Sequence, residues 1–468
     1  MFEFTKAVTV AMATTALAVS ASAQTVQTKQ YDDGGVYEGT FVDGKQDGTG
    51  TYRLPNGFEY TGEWVAGEIR GEGTATFPNG SVYEGEFVAG KPEGRGRITF
   101  TDGSTYEGEW VDGNMTGDGM MTYANGVVYQ GAFRNAMHNG IGIMTSPDGY
   151  IYEGNWINGI KEGEGTVTYA DGSVYEGTLA AGERHGTGTM TMASGVVYSG
   201  EWVDGKIQGE GTLTHANGDI YEGMLIDSKR EGAGKVTYAN GDVYEGEFQN
   251  DLRHGKGTFT GTDGYVYTGD WVEGRIEGNG EVTYPDGSVY VGSFADDLAN
   301  GEGRITYPDG SVYAGSWQDG VINGAGTATY VNGLVYEGEF LDGKTHGQGK
   351  MTYANGYVYE GEWADGQRNG RGTATYEDGT VYVGDFTDGQ RDGRGEITMP
   401  DGFTYVGEWT NGEINGAGTA TYSNGDVYEG TFVRSRREGE GTMTFANGQQ
   451  SSGIWSDGAL VSETNGGN

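Results

Sequence analysis

The chain has 468 residues, of which 92 are Gly, 7 are Pro and none is Cys, and Asp+Glu 68 against Lys+Arg 28 gives a formal charge of −40 at pH 7. Such usage excludes disulfide scaffolds and collagen-like fibres. The charge excludes nucleic acid as a partner and leaves membrane binding weak, since anionic lipid and nucleic acid both demand Lys/Arg footprints.

Residues 1–23 come first and stand apart. Lys6 opens a short basic region, "AVTVAMATTALAV" at 7–19 is an apolar run, and "ASA" at 21–23 is a small-x-small cleavage site. The run is too short for an ordinary membrane-spanning helix. It predicts a bacterial secretory signal peptide, cleaved to leave Gln24 as the mature start, and a periplasmic or secreted protein. Residues 24–36 follow as a linker or partial repeat.

From Tyr37 a Tyr then recurs every 23 residues, through Tyr60, Tyr83 and Tyr106 to Tyr428, and the next step lands on Ser451 in "SSGIW". That makes eighteen units and a nineteenth half-unit over residues 37–455, with a polar tail at 456–468. An internal period decides the fold before any other signal. Counting the Tyr as 0, Tyr106, Gly108 and Trp110 alternate with Glu107 and Glu109, the pattern of a half-buried strand. A second strand is expected at about +13 to +17, as in Gly280, Val282 and Tyr284. The link after it, "YPDGS" at 284–288, reads as a tight hairpin loop of three to five residues. The other link, "VDGKIQGEG" at 203–211, reads as longer and Gly-rich. Only an antiparallel meander joins strands through links this short, here about 37 strands.

A unit reading "YEGEWVDGKIQGEGTLTHANGDI" resembles the MORN family (membrane occupation and recognition nexus). The resemblance covers residues 37–455, with Leu179, Leu225 and Ser451 as departures. It implies an all-β fold: an elongated, twisted rod built as a single-layer antiparallel meander of β-hairpin repeats. It also implies scaffolding and dimerisation.

All nine Trp stand at +4, and they alternate with Phe or Leu over much of the array, as in Trp363, Phe386 and Trp409. Small residues at +15 follow Trp within a unit, as Ala374 follows Trp363, which suggests volume compensation. Position +9 co-alternates between Ile276 or Ile414 and Arg253 or Arg391. Two chemically distinct flanks and a duplicated 46-residue pair without functional meaning both account for this.

The candidate interaction or packing surface is the ring set Tyr106, Trp110, Tyr267, Trp271, Tyr359, Trp363, Tyr405, Trp409 and Trp455. No catalytic, cofactor-binding or metal residue is assigned. His185, His254 and His346 share +10 and His138 stands at +9; all four read as solvated loop residues too far apart to share an ion. The acidic column at +1, as in Glu107 and Glu153, reads either as a solvated face or as a weak Ca²⁺ binder without a shaped loop. The Gly-x-Gly pair recurs in every unit, so it marks backbone geometry and not a phosphate loop. The reading is a non-catalytic scaffold of the bacterial envelope that binds protein, including a second copy of itself as a homodimer. The alternative is a binding surface for polysaccharide, peptidoglycan or lipid headgroups.

Overall fold

The computed structural model describes residues 25–464; the signal peptide expected at 1–23 lies outside the described residues. The chain divides into two compact units, Met1–Ile207 and Gln208–Asn468. The described residues form 39 strands and no helix. Within each unit every strand pairs antiparallel with the next in sequence, as Thr105–Val111 pairs with Asn114–Thr122 in the first and Val381–Thr387 with Gln390–Thr398 in the second.

Each repeat is a seven-residue short strand and a nine-residue long strand. The short strand Thr105–Val111 alternates as the sequence predicts, with Tyr106 and Trp110 buried and Glu107 exposed. Tyr106 pairs with Met121 and Gly108 with Gly119 on the long strand of the same hairpin; Tyr106 pairs with Ile98 and Gly108 with Gly96 on the hairpin before. Residues 0, +2, +4, +9, +13 and +15 therefore share one face.

The two links have the reverse of the lengths expected. The Gly-rich segment is mostly strand, because the long strand begins at +8, and the connection shrinks to two residues such as Asp112 and Gly113. Both have positive φ, 50° and 80°, the two-residue turn whose twist matches a hairpin. The glycine at +11 does not end the strand. Gly117 has φ 57° and sits where the pairing shifts between Gly108 and Glu109, so it makes a bulge inside the ladder. The link read as tight is the longer one, five residues from Tyr123 to Val127, closed by Tyr123 N–H to the Val127 carbonyl at 2.8 Å. Asn125 Oδ1 accepts from Val127 N–H at 3.1 Å, which fixes the bend.

Two strands lie beyond those expected. Gln27–Gln30 pairs with Gly39 to Val36, and Ala459–Glu463 pairs with the strand Gln450–Ser456. The segment read as a polar tail thus begins by completing a hairpin, since Asp457 and Gly458 keep the positive-φ turn at φ 49° and 83°.

Turns also bind backward. In the repeat from Tyr106, Gly113 N–H donates to the Pro92 carbonyl at 2.9 Å, and Asp112 N–H donates to Glu93 Oε2 at 2.9 Å. The same pair of contacts recurs at Gly412 and Asn411, with Arg391 and Asp392. Where +7 is not Gly, its side chain often offsets the strained backbone: Asp297 Oδ1 accepts from Ile276 N–H at 2.7 Å. Ala136, with φ 61°, has no such group. Ala136→Gly is expected to stabilise the protein by about 1 kcal/mol by removing a left-handed alanine. Denaturant unfolding of the variant checks this, and a loss of stability contradicts it.

Candidate functional site

The repeated aromatic face is interior. Tyr106 lies across Gly108 and Gly119, and a Cβ on either glycine would collide with the ring. Its hydroxyl donates to the Glu109 carbonyl at 2.9 Å. The ring covers its own backbone because +2 and +13 carry no side chain. Trp110 then reaches back over the preceding hairpin, where Nε1 donates to the Gly96 carbonyl at 3.1 Å. It meets Tyr83 and Tyr106 edge-on at 5.0 and 5.4 Å, the favoured geometry for ring quadrupoles.

The nine candidate rings Tyr106, Trp110, Tyr267, Trp271, Tyr359, Trp363, Tyr405, Trp409 and Trp455 are all buried, none more than 6% exposed. Of the two roles left open for them, the structure gives packing; none is left as open surface. The expected volume compensation inside one unit is not the arrangement found. Trp409 Nε1 bonds the Gly395 carbonyl of the preceding repeat, so the ring leans away from its own Ala420.

The same backward lean accounts for the co-alternation at +9. Arg391 stands with its guanidinium carbon 4.2 Å from the centre of the Trp409 ring, and its Nη2 donates to the Gly412 carbonyl at 2.7 Å. Arg253 holds Trp271 at 4.1 Å, Arg184 holds Trp202 at 4.4 Å and Arg437 holds Trp455 at 4.6 Å. An Arg at +9 thus serves the ring of the following repeat through a cation–π contact. Arg230, where the phase of the alternation slips, covers Phe248 at 5.2 Å, and Arg368, where the phase holds, covers Phe386 at 5.4 Å.

The four histidines at +9 and +10 are in strands, not loops, whereas His215, at +17, opens a loop. His138 is buried, stacks on Tyr129 at 3.7 Å and bonds the Tyr123 hydroxyl at 2.9 Å. Burial lowers its pKa to about 4, so it stays neutral. The reason is its offset: +9 faces the rings. His254 and His346 stand opposite Glu247 and Glu339, and His185 Nδ1 lies 3.7 Å from Asp204 Oδ1. Among the described residues no group of three or more His, Asp or Glu is placed to hold a metal ion.

What remains open on the aromatic side is at +17. Tyr307, Tyr330, Tyr353 and Phe445 are each more than a third exposed. The long strand ends one residue earlier, so the loop lifts these rings off the sheet. The sequence grouped them with the buried rings because their parity is the same. On the opposite face a shallow groove runs over Gly384, Gly395, Gly407 and Gly418, bordered by Arg371, Arg394, Glu396 and Glu429. Its walls are of mixed charge.

A family model described as MORN repeat matches this sequence eighteen times, from residues 37–58 to 428–450. The chain belongs to the MORN-repeat family. All eighteen matches begin at the core Tyr, so each family unit holds one ring-over-glycine pair. No curated protein matches the chain. Among solved structures, the MORN array is similar to the SAS-4 (dCPAP) TCP domain of Drosophila melanogaster, solved with a proline-rich motif of Ana2. Identity there is 14%, coverage is 43% of this chain and 90% of that one, and the TM-score is 0.22. The TCP10 domain of Danio rerio CPAP gives 16% identity, 47% and 93% coverage and a TM-score of 0.20. Superpositions this loose carry no argument about function.

Burial pushes the core phenols up: Tyr60, Tyr106, Tyr198 and Tyr405 reach about 12. Desolvation is the main cause, and nearby carboxylates such as Glu109 add to it. A group whose folded pKa is raised keeps its contribution below the unfolded value near 10 and loses it as pH rises towards 12. Alkaline titration is therefore expected to show loss of sheet signal across that window, with core tyrosinate absorbance appearing only as the sheet melts. Complete tyrosine ionisation near pH 10 with the sheet intact contradicts this.

Proposed function

We propose that this MORN-repeat protein is a non-catalytic scaffold of the bacterial envelope, exported, that binds protein and associates with itself. The observation that supports it most is how the recurring polar and aromatic groups are used. The Tyr hydroxyls, Trp indoles, +9 guanidinia and many +10 carboxylates all bond the array's own backbone, as Tyr382, Trp409, Arg391 and Asp392 do. What repeats at the surface is an acidic sheet face and a rim of partly open rings such as Tyr330 and Tyr353. A surface of this kind offers many equivalent contacts and no reaction centre. The glycan alternative calls for ring faces open to sugars; the +4 rings are closed, which leaves it the partly open rings at +17.

The address rests on residues 1–23, with Lys6, the apolar run at 7–19 and "ASA" at 21–23. Binding to anionic lipid is expected to be weak, because a net charge of −40 opposes it. Fractionation of native cells, with mass spectrometry of the N-terminus and cross-linking in the intact envelope, tests the reading. A chain starting at Gln24, outside the cytosol and cross-linked to protein, is the expected result. An intact Met1 in the cytosolic fraction contradicts it.

A further inference from the structure

The repeat from Tyr129 breaks the charge pattern of the array. Residues 119–147 contain no Asp or Glu, in a chain with 68 of them. The sheet face opposite the rings carries Glu72 and Thr74 at +12 and +14 of one repeat, and Glu164 and Thr166 of another. At those offsets the repeat from Tyr129 has Ile141 and Ile143, and its neighbour has Met120. All three are exposed, Ile141 at 73%. They adjoin one another: Gln130 pairs with Met120 on one side and Ile143 on the other. Ile157 and Ile160, paired across the next short turn, extend the apolar surface on the same face and are also exposed. Everything named lies within the unit Met1–Ile207.

We propose that this patch is where a second copy of the chain docks, face to face about a two-fold axis. The proposal rests on the self-association stated above and gives it a location. The occupant follows from charge. Two copies each carrying −40 meet carboxylate columns against carboxylate columns over much of the polar face, and like charges so placed repel. Residues 119–147 put no acid on that face themselves; Glu107, Asp118 and Glu153, opposite Met120, Ala132 and Ile143, border the strip, so two copies can meet there with carboxylates at its edge and not at its centre. A basic partner is drawn to the acidic columns and gains nothing here. An isologous contact also needs a patch that complements itself. Flat aliphatic side chains do, and so does the amide of Gln130, which both donates and accepts.

The test is sedimentation equilibrium of the mature chain, wild type against Ile141→Glu/Ile143→Thr. These substitutions install the residues that other repeats carry at the same offsets, so the fold is kept, and circular dichroism verifies it. A second arm uses the absence of Cys. Gln130→Cys is treated with a short bis-maleimide, with Thr327→Cys, at +14 in the repeat from Tyr313, as the control position. The expected result is a wild-type dimer, favoured by added salt, a dissociation constant raised at least ~10-fold in the double variant, and covalent dimer from Gln130→Cys alone. A wild-type dimer that the double variant leaves unchanged, or that gives no Gln130→Cys cross-link, overturns the docking site and leaves self-association standing. A wild-type monomer across salt and concentration overturns both.

Discussion

A phenol ring lying across two glycines of its own hairpin is the contact on which the rest of this array depends. A single-layer sheet has no second layer to bury its apolar face. The Tyr at 0 supplies the missing cover by folding back over the bare backbone at +2 and +13, and its hydroxyl bonds the carbonyl at +3, as Tyr382 does to Asp385 at 3.0 Å. Each hairpin thus carries a small interior of its own. The neighbouring +4 ring closes it from the next repeat, as Trp409 meets Tyr382 at 5.1 Å.

That closure makes the repeats lean one way. Trp and turn backbone couple a hairpin to the one before it, while the +10 carboxylate and an Arg at +9 reach forward to the turn and the +4 ring of the following repeat. Contacts confined to nearest neighbours make stability close to additive along each unit. They also leave the opposite face free of packing duty, so residues there vary without harm to the fold. Function in this protein is therefore sought on that face and on the loop rim, where Ile141 and Tyr330 stand, and not among the rings that the repeat conserves by necessity.

The period, the hairpin repeat and the shared face of 0 and +4 were legible in the sequence because strand alternation and spacing encode them directly. The lengths of the two links were not. Glycines at +11 and +13 read as loop, yet Gly117 is a bulge within the ladder and Gly119 is a platform for Tyr106. The meaning of the +9 alternation was hidden by where a unit is cut. Arg391 and Trp409 belong to different 23-residue units and to one contact. His138 was misjudged for the same reason as the links: +9 is strand, facing inward. The acid-free stretch at 119–147 was visible in the sequence, but its outward isoleucines acquire meaning only once the faces are assigned.

Hydrogen exchange on Gly395→Ala tests the central claim most directly. Gly395 lies beneath Tyr382, and an added methyl collides with that ring, whereas Gly389 in the short turn has open space about its Cβ position, so an alanine there meets no ring and carries only the left-handed backbone strain that Ala136 carries. The account predicts that Gly395→Ala loses protection in the strands Val381–Thr387 and Gln390–Thr398, by about 1–3 kcal/mol of local opening free energy, and that Gly389→Ala costs less. Protection in the Gly395→Ala variant equal to that of the wild type would contradict it.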